Sequence, residues 1–165
     1  MLIRKATKQD ARVITEINVK TWKVAYKGLL SDEILDKRCV TEEKVQYSKD
    51  SIGSKGKICF VAEDNGEVIG YLDGGNSRYE DVPVEYEVYG FYVLPSMQRK
   101  GVGKALLDAF KQEVNNEPFY LYALKDNQKA RAFYIKNGGD ELPEFERELP
   151  EKYNSALESL FMFNL

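Results

Sequence analysis

Residues 84–110 read VEYEVYGFYVLPSMQRKGVGKALLDAF, and across one short turn their hydrophobic period changes from two to roughly 3.6. The first run is rich in tyrosine and valine, as a strand is, and stops at Pro95. The second carries the rhythm of a helix. A strand that feeds a helix this directly requires the helix to fold back onto the sheet, which restricts the chain to mixed α/β architectures.

The rest of the chain fits that restriction. LIRKA alternates as a short strand would, and Thr7 with Asp10 resembles a capping-box helix start. Ile14, Ile17, Thr21 and Ala25, with Val13 and Trp22 beside them, mark one helix face. The helix breaks at Gly28, and Ser31 caps a second that continues through TEEKVQYSKDSI to the turn GSKGK. KICFVAED and EVIGYLDGG then form a hairpin over Asn65-Gly66. After residues 84–110 come a strand, FYLYALK, a helix, NQKARAFYIKNGG, and an acidic stretch, DELPEFERELPE, before the last strand, SLFMFNL. The predicted order is strand, two helices, three strands, helix, strand, helix, two strands. It is an α/β (α+β) mixed sheet, in one domain over residues 1–165.

Composition excludes several functions. A net charge of -3 and a pI near 5.2 argue against a nucleic-acid surface, which needs a basic face. No apolar run approaches the ~20 residues of a membrane span, and MLIRKATKQD lacks a signal-peptide core, so a cytoplasmic protein is expected. Cys39 and Cys59 have no metal-ligand spacing, and histidine is absent, which removes Ser-His-Asp and Cys-His catalysis; no metal is expected. Acid–base chemistry falls to carboxylates, tyrosine, lysine or water.

The glycine turn fails both common nucleotide patterns. A Walker loop would need glycine at Gln98 and a hydroxyl at Ala105, and a dinucleotide fingerprint would need glycine at Leu106. What survives is an anion cradle. Gly101 and Gly103 let the backbone approach a ligand at a helix N-terminus, where free N–H groups and the helix dipole favour phosphate. Arg99, Lys100 and Lys104 add positive charge.

VLPSMQRKGVGKALL resembles the acetyl-CoA loop of the GNAT superfamily of N-acetyltransferases, V-x-P-x-x-[QR]-x-x-G-[IV]-G, with Gln98, Gly101, Val102 and Gly103 in register. NQKARAFYIKNGG is similar to the same family's downstream helix, through Asn127, Ala130, Phe133, Tyr134 and Gly138. The resemblance covers nearly the whole chain and implies that fold. It also implies an acetyl-CoA cosubstrate held by residues 98–104, with Phe91, Tyr92 and Val93 pairing their backbone along the pantetheine arm. Asn127 would bind or orient the cofactor, although its type and place equally suit a helix N-cap. Gly139 departs from the pattern, which usually has an apolar residue there, and this removes a core anchor at the next strand. GGDEL is similar to the corresponding stretch of spermidine/spermine N-acetyltransferases.

Transfer to an amine makes two demands. An alkylammonium of pKa near ~10 must lose a proton, costing roughly 4 kcal/mol at neutral pH, and the departing thiolate must gain one. The resemblance puts Tyr134 beside the thioester as the acid. Glu87 stands six residues before Val93, where the resemblance implies a carboxylate base that works directly or through water; Glu85, Glu87, Tyr89, Phe91 and Val93 share one face if the strand is regular, and a bulge would break that parity. Trp22, Tyr26, Glu85 and Tyr89, with Tyr79 and Tyr86 nearby, are candidates for the acceptor site. The acidic stretch beyond Gly139 would attract a small cationic or peptide amine. A non-catalytic acyl-CoA-binding module is the alternative. SLFMFNL has few charges to protect a sheet edge, which admits a homodimer.

Overall fold

A computed structural model describes residues 1–153 and 155–164. Its elements run β1 (Leu2–Lys5), α1 (Ala11–Ala25), α2 (Asp32–Lys37), α3 (Glu42–Ser51), β2 (Lys57–Asp64), β3 (Glu67–Asn76) and β4 (Tyr86–Val93). Then follow α4 (Val102–Glu113), β5 (Phe119–Leu124), α5 (Gln128–Lys136), β6 (Gly139–Glu148) and β7 (Leu157–Phe163). The expected second helix is two. Arg38 leaves α2 in an extended conformation, and Thr41 caps α3 by accepting from the Lys44 amide at 3.3 Å, with Glu42 and Glu43 favoured at its positive end.

The strands form one seven-stranded sheet in the order β1-β2-β3-β4-β5-β7-β6, in which β4 and β5 are parallel and the other pairs antiparallel. Asn65 (φ 51°) and Gly66 (φ 82°) both take the left-handed conformation a tight hairpin turn requires. β7 is an interior strand between β5 and β6, so its apolar sequence is covered within the chain and offers no edge to a second copy. The edge beside it is the acidic β6, where Glu141 pairs with Arg131 and Glu146 with Lys125.

Apolar side chains bury against both faces. On one, Leu106, Leu107 and Phe110 of α4 and Tyr134 of α5 pack on Leu72, Val88, Leu121 and Phe161; on the other, Ile14 and Ile17 of α1 pack on Val61 and Tyr71. β6 does begin at Gly139. A Cβ there would stand 2.9 Å from the Phe163 ring, so β7 supplies the apolar group that position lacks.

Candidate active site

The sheet is open at one place. β4 and β5 pair only over Tyr86–Val88 and Phe119–Leu121. Beyond that, β4 continues to Val93 paired only to β3, and β5 continues to Leu124 paired only to β7. Phe91, Tyr92 and Val93 thus have no strand partner on the gap side, which an extended amide chain could occupy as a strand does.

The anion cradle lies at the same end. α4 begins at Val102 after Gly101, which sits at φ 83°, and Arg99 also takes a left-handed φ of 62°. No side chain caps this end, and the first amide taken up is that of Ala105, by the Gly101 carbonyl at 3.0 Å. The amides ahead of it remain free for an anion. Gly103 also packs closely: a Cβ there would lie 3.1 Å from the Phe133 ring, which would have to shift by a few tenths of an ångström. Gln98 ties the loop back to the strand by donating to the Val93 carbonyl at 3.1 Å. Lys104 pairs with Asp108 one turn on, whereas Arg99 and Lys100 are exposed. Open edge and cradle together fit a molecule with phosphates at one end and an extended amide arm, as coenzyme A has.

Four aromatic side chains close round the gap. Tyr134 is buried against Phe91, Phe133 and Phe161, with ring centroids 6.3, 5.6 and 5.4 Å away. Burial pushes its hydroxyl above the usual range, and Tyr26 on the opposite face adds to the rise. Burial likewise raises Tyr92, and neighbouring Tyr26 adds to that rise. Trp22 is an edge-on neighbour of Tyr26 at 4.8 Å, buried among Leu30, Leu35 and Leu124.

The profile of the Acetyltransferase (GNAT) family matches residues 17–138. The chain belongs to the GNAT acetyltransferase family. Among relatives, it is 30% identical to the uncharacterized N-acetyltransferase YuaI of Bacillus subtilis over 106 residues, 64% of this chain and 59% of that protein. It is 24% identical to the spermidine N(1)-acetyltransferase of Thermoplasma acidophilum, over 82% of this chain and 86% of that one. The fold matches the PaiA N-acetyltransferase of Thermoplasma acidophilum in complex with coenzyme A, with a TM-score of 0.72, 20% identity and 96% of each chain covered.

In this GNAT chain the remaining candidates sit otherwise than a regular strand would put them. The register of β3 on β4 slips between Asp73 and Gly74, leaving Tyr89 as the extra residue of a bulge. Phe91 and Val93 therefore pack on the α4 face with Val88, and do not share a face with Glu87. Glu87 is 1% exposed, and its carboxylate accepts from the Arg78 amide and Nε, each at 3.0 Å, and from Arg78 Nη2. Every donor it needs is in place. Tyr89 donates to the Asn76 carbonyl and stacks under Lys57 Nζ at 3.9 Å. Glu85 is exposed and precedes β4, Tyr86 packs toward α4, and Tyr79 lies against Tyr122 and Arg147. Tyr79 and Glu85 are not part of the core cluster that contains Tyr134, whereas Tyr86 packs against it.

Asn127 caps α5, its side chain accepting from the Ala130 amide at 3.2 Å, which leaves its NH2 group for a ligand. β3 carries a further carboxylate inside the sheet. Asp73 lies in YLDGG, an acid set inside an otherwise apolar and glycine-rich strand; that contrast was the available signal.

Proposed function

We propose that residues 1–165 act as one acetyl-CoA-dependent N-acetyltransferase domain, which moves an acetyl group to a primary amine by direct attack in a ternary complex. The acceptor is a small cationic molecule or a peptide. The observation that carries this reading is the split between β4 and β5, with an uncapped helix end at its mouth and Tyr134 within it.

Bound acetyl-CoA supplies an acetyl group on a thioester whose sulfur leaves as a thiolate. The chain's residues do the rest. Free amides from Arg99 to Lys104 hold the pyrophosphate, and the exposed cations of Arg99 and Lys100 add to its attraction. Phe91, Tyr92 and Val93 hold the arm extended along the open edge, and Asn127 orients it. Tyr134 keeps its proton at neutral pH, because burial disfavours its phenolate, and gives it to the sulfur. Trp22, Tyr26 and Tyr89 shape the approach of the amine. Glu87 is assigned to anchoring Arg78 and its loop, since that guanidinium already occupies both of its oxygens. Two free cysteines suit a cytoplasmic setting.

The experiment is thiol release from acetyl-CoA with spermidine, L-lysine and an alanine-initiated peptide, followed by mass spectrometry of the product. Amine-dependent release with a product heavier by one acetyl group is expected. Tight acetyl-CoA binding with no release for any amine would favour a non-catalytic acyl-CoA module.

A further inference from the structure

A cavity of about 270 Å³ opens between α1, α3 and the β2–β3–β4 part of the sheet. Thr15, Asn18, Tyr47 and Ser48 form its helix side, and Asp73 is the one carboxylate on its lining. Its floor includes Gly90, the residue after the bulge. A Cβ on Gly90 would stand 2.4 Å from Asp73 Oδ1 and 3.2 Å from the Tyr71 hydroxyl, so only the absence of a side chain lets the carboxylate lie over that backbone.

The position of Gly90 matters because of where an arm would end. An extended chain that starts at the α4 cradle and runs back along Val93, Tyr92 and Phe91 reaches its limit where β4 closes on β5 at Val88 and Leu121. Gly90 lies between. We infer that Asp73 is the base of the acetyl transfer, taking the proton from an acceptor ammonium that enters through this cavity, on the side of β4 opposite Tyr134. The role rests on the transferase reading above.

Asp73 differs from Glu87 in being available. Apart from its own backbone amide, no donor among the described residues satisfies its oxygens, whereas Glu87 is bound three times by Arg78. Desolvation raises its pKa to about 7, against the pull of Lys57 and Arg78. The other groups facing it are Cys59 from β2, Tyr71 from its own strand, and Glu87 and Tyr89 from β4. Tyr47 and Lys44 face it from α3 and Arg38 from the α2–α3 connection, while α1 presents only the neutral Thr15 and Asn18. Burial raises Cys59 and Tyr71, with Asp73 adding to both, so these stay neutral and Asp73 is left to exchange the proton. A base that titrates near neutrality combines a large ionised fraction with a useful proton affinity.

The step balances. The ammonium gives one proton to the Asp73 carboxylate; the freed amine forms the C–N bond as the C–S bond breaks; the sulfur takes the Tyr134 proton. The second proton leaving nitrogen restores the tyrosine through solvent, and Asp73 returns its own to water, so one proton is released per turnover.

Asp73→Asn tests this, with acetyl-CoA and the fastest acceptor of the spermidine, lysine and peptide panel. kcat/KM of the unaltered chain is expected to rise through an apparent pKa near ~7, and the variant to lose about 100-fold and that limb with it, at unchanged acetyl-CoA Kd. A second readout needs no turnover. Asp73 has its folded pKa above the ordinary 3.8, so its contribution to stability is fully present at low pH and is lost as pH rises through about 7. The Tm advantage of Asp73→Asn should therefore grow from about pH 4 to about pH 8. Turnover by the unaltered chain with the same pH profile in the variant would overturn the role of Asp73 and leave the transferase standing. A Tm difference independent of pH would overturn it as well. No turnover of any amine by the unaltered chain would overturn the transferase reading, and this role with it.

Discussion

The Arg78 guanidinium grips Glu87 through both carboxylate oxygens, and the Arg78 amide adds a third bond to the same carboxylate. Arg78 is half exposed while Glu87 is 1% exposed, so the pair joins a surface loop to the closed end of the β4–β5 split. Removing the arginine would leave a buried charge with one backbone donor. Arg78→Met is expected to cost about 3 kcal/mol, read from urea denaturation, because a buried pair broken on one side leaves the other charge uncompensated. Glu87→Gln should cost less and leave the pH-rate profile in place; loss of the acidic limb in that variant would return the base to Glu87.

Tyr134 is surrounded by rings, and its hydroxyl is the one polar atom it brings to the gap. Tyr134→Phe keeps the packing and removes the proton. Turnover is expected to fall about 100-fold, with the Kd for acetyl-CoA unchanged. A fall smaller than about threefold would remove the proton-donor role.

The sequence carried the local features well and the non-local ones badly, for a physical reason. The Asn65-Gly66 hairpin and the glycine cradle are written in adjacent residues, because the required φ values belong to those residues themselves. The α2–α3 break was missed although Thr41-Glu42-Glu43 is a helix start, since the polar residues on either side of it suit helix and loop alike. The bulge at Tyr89 depends on how Asp73 and Gly90 meet across strands, and no period within β4 records it. Unbroken alternation would put Glu87 on the face of Phe91, and the bulge turns the two to opposite faces. The family pattern points to Glu87, and nothing near it in sequence announces that Arg78 will occupy it.

Asp10 is 7% exposed and receives the Arg4 guanidinium at 2.8 and 2.9 Å and the Thr7 amide at 2.7 Å. The Arg4 hydrogen bonds are the largest cause of its pKa falling from 3.8 to about 2. The folded value lies below the unfolded one, so the carboxylate contributes stability above about pH 4 and loses it as pH falls through about 2. That shift corresponds to ~2 kcal/mol at neutral pH. Asp10→Asn should lower the urea midpoint at pH 7, and its deficit should shrink steadily as the pH is brought down toward about 2.

Gly139 and Phe163 share one volume, and the family's usual choice at the glycine cannot be added without removing something. Phe163 is fully buried and stacked on Phe119, with centroids 4.7 Å apart and planes 5° from parallel. A side chain on Gly139 would meet that ring at 2.9 Å and the Tyr134 carbonyl at 3.1 Å, and the carbonyl belongs to α5 and cannot move away cheaply. Gly139→Phe, although it restores the apolar residue, is therefore expected to destabilise by about 1–3 kcal/mol through overpacking. Phe163→Ala alone should cost about 3–5 kcal/mol as a cavity. If the two positions compete for the same space, the double variant will be more stable than the sum of the single losses predicts. Strict additivity in denaturant midpoints would show that the added ring finds other room, and that Phe163 does not stand in for the missing anchor.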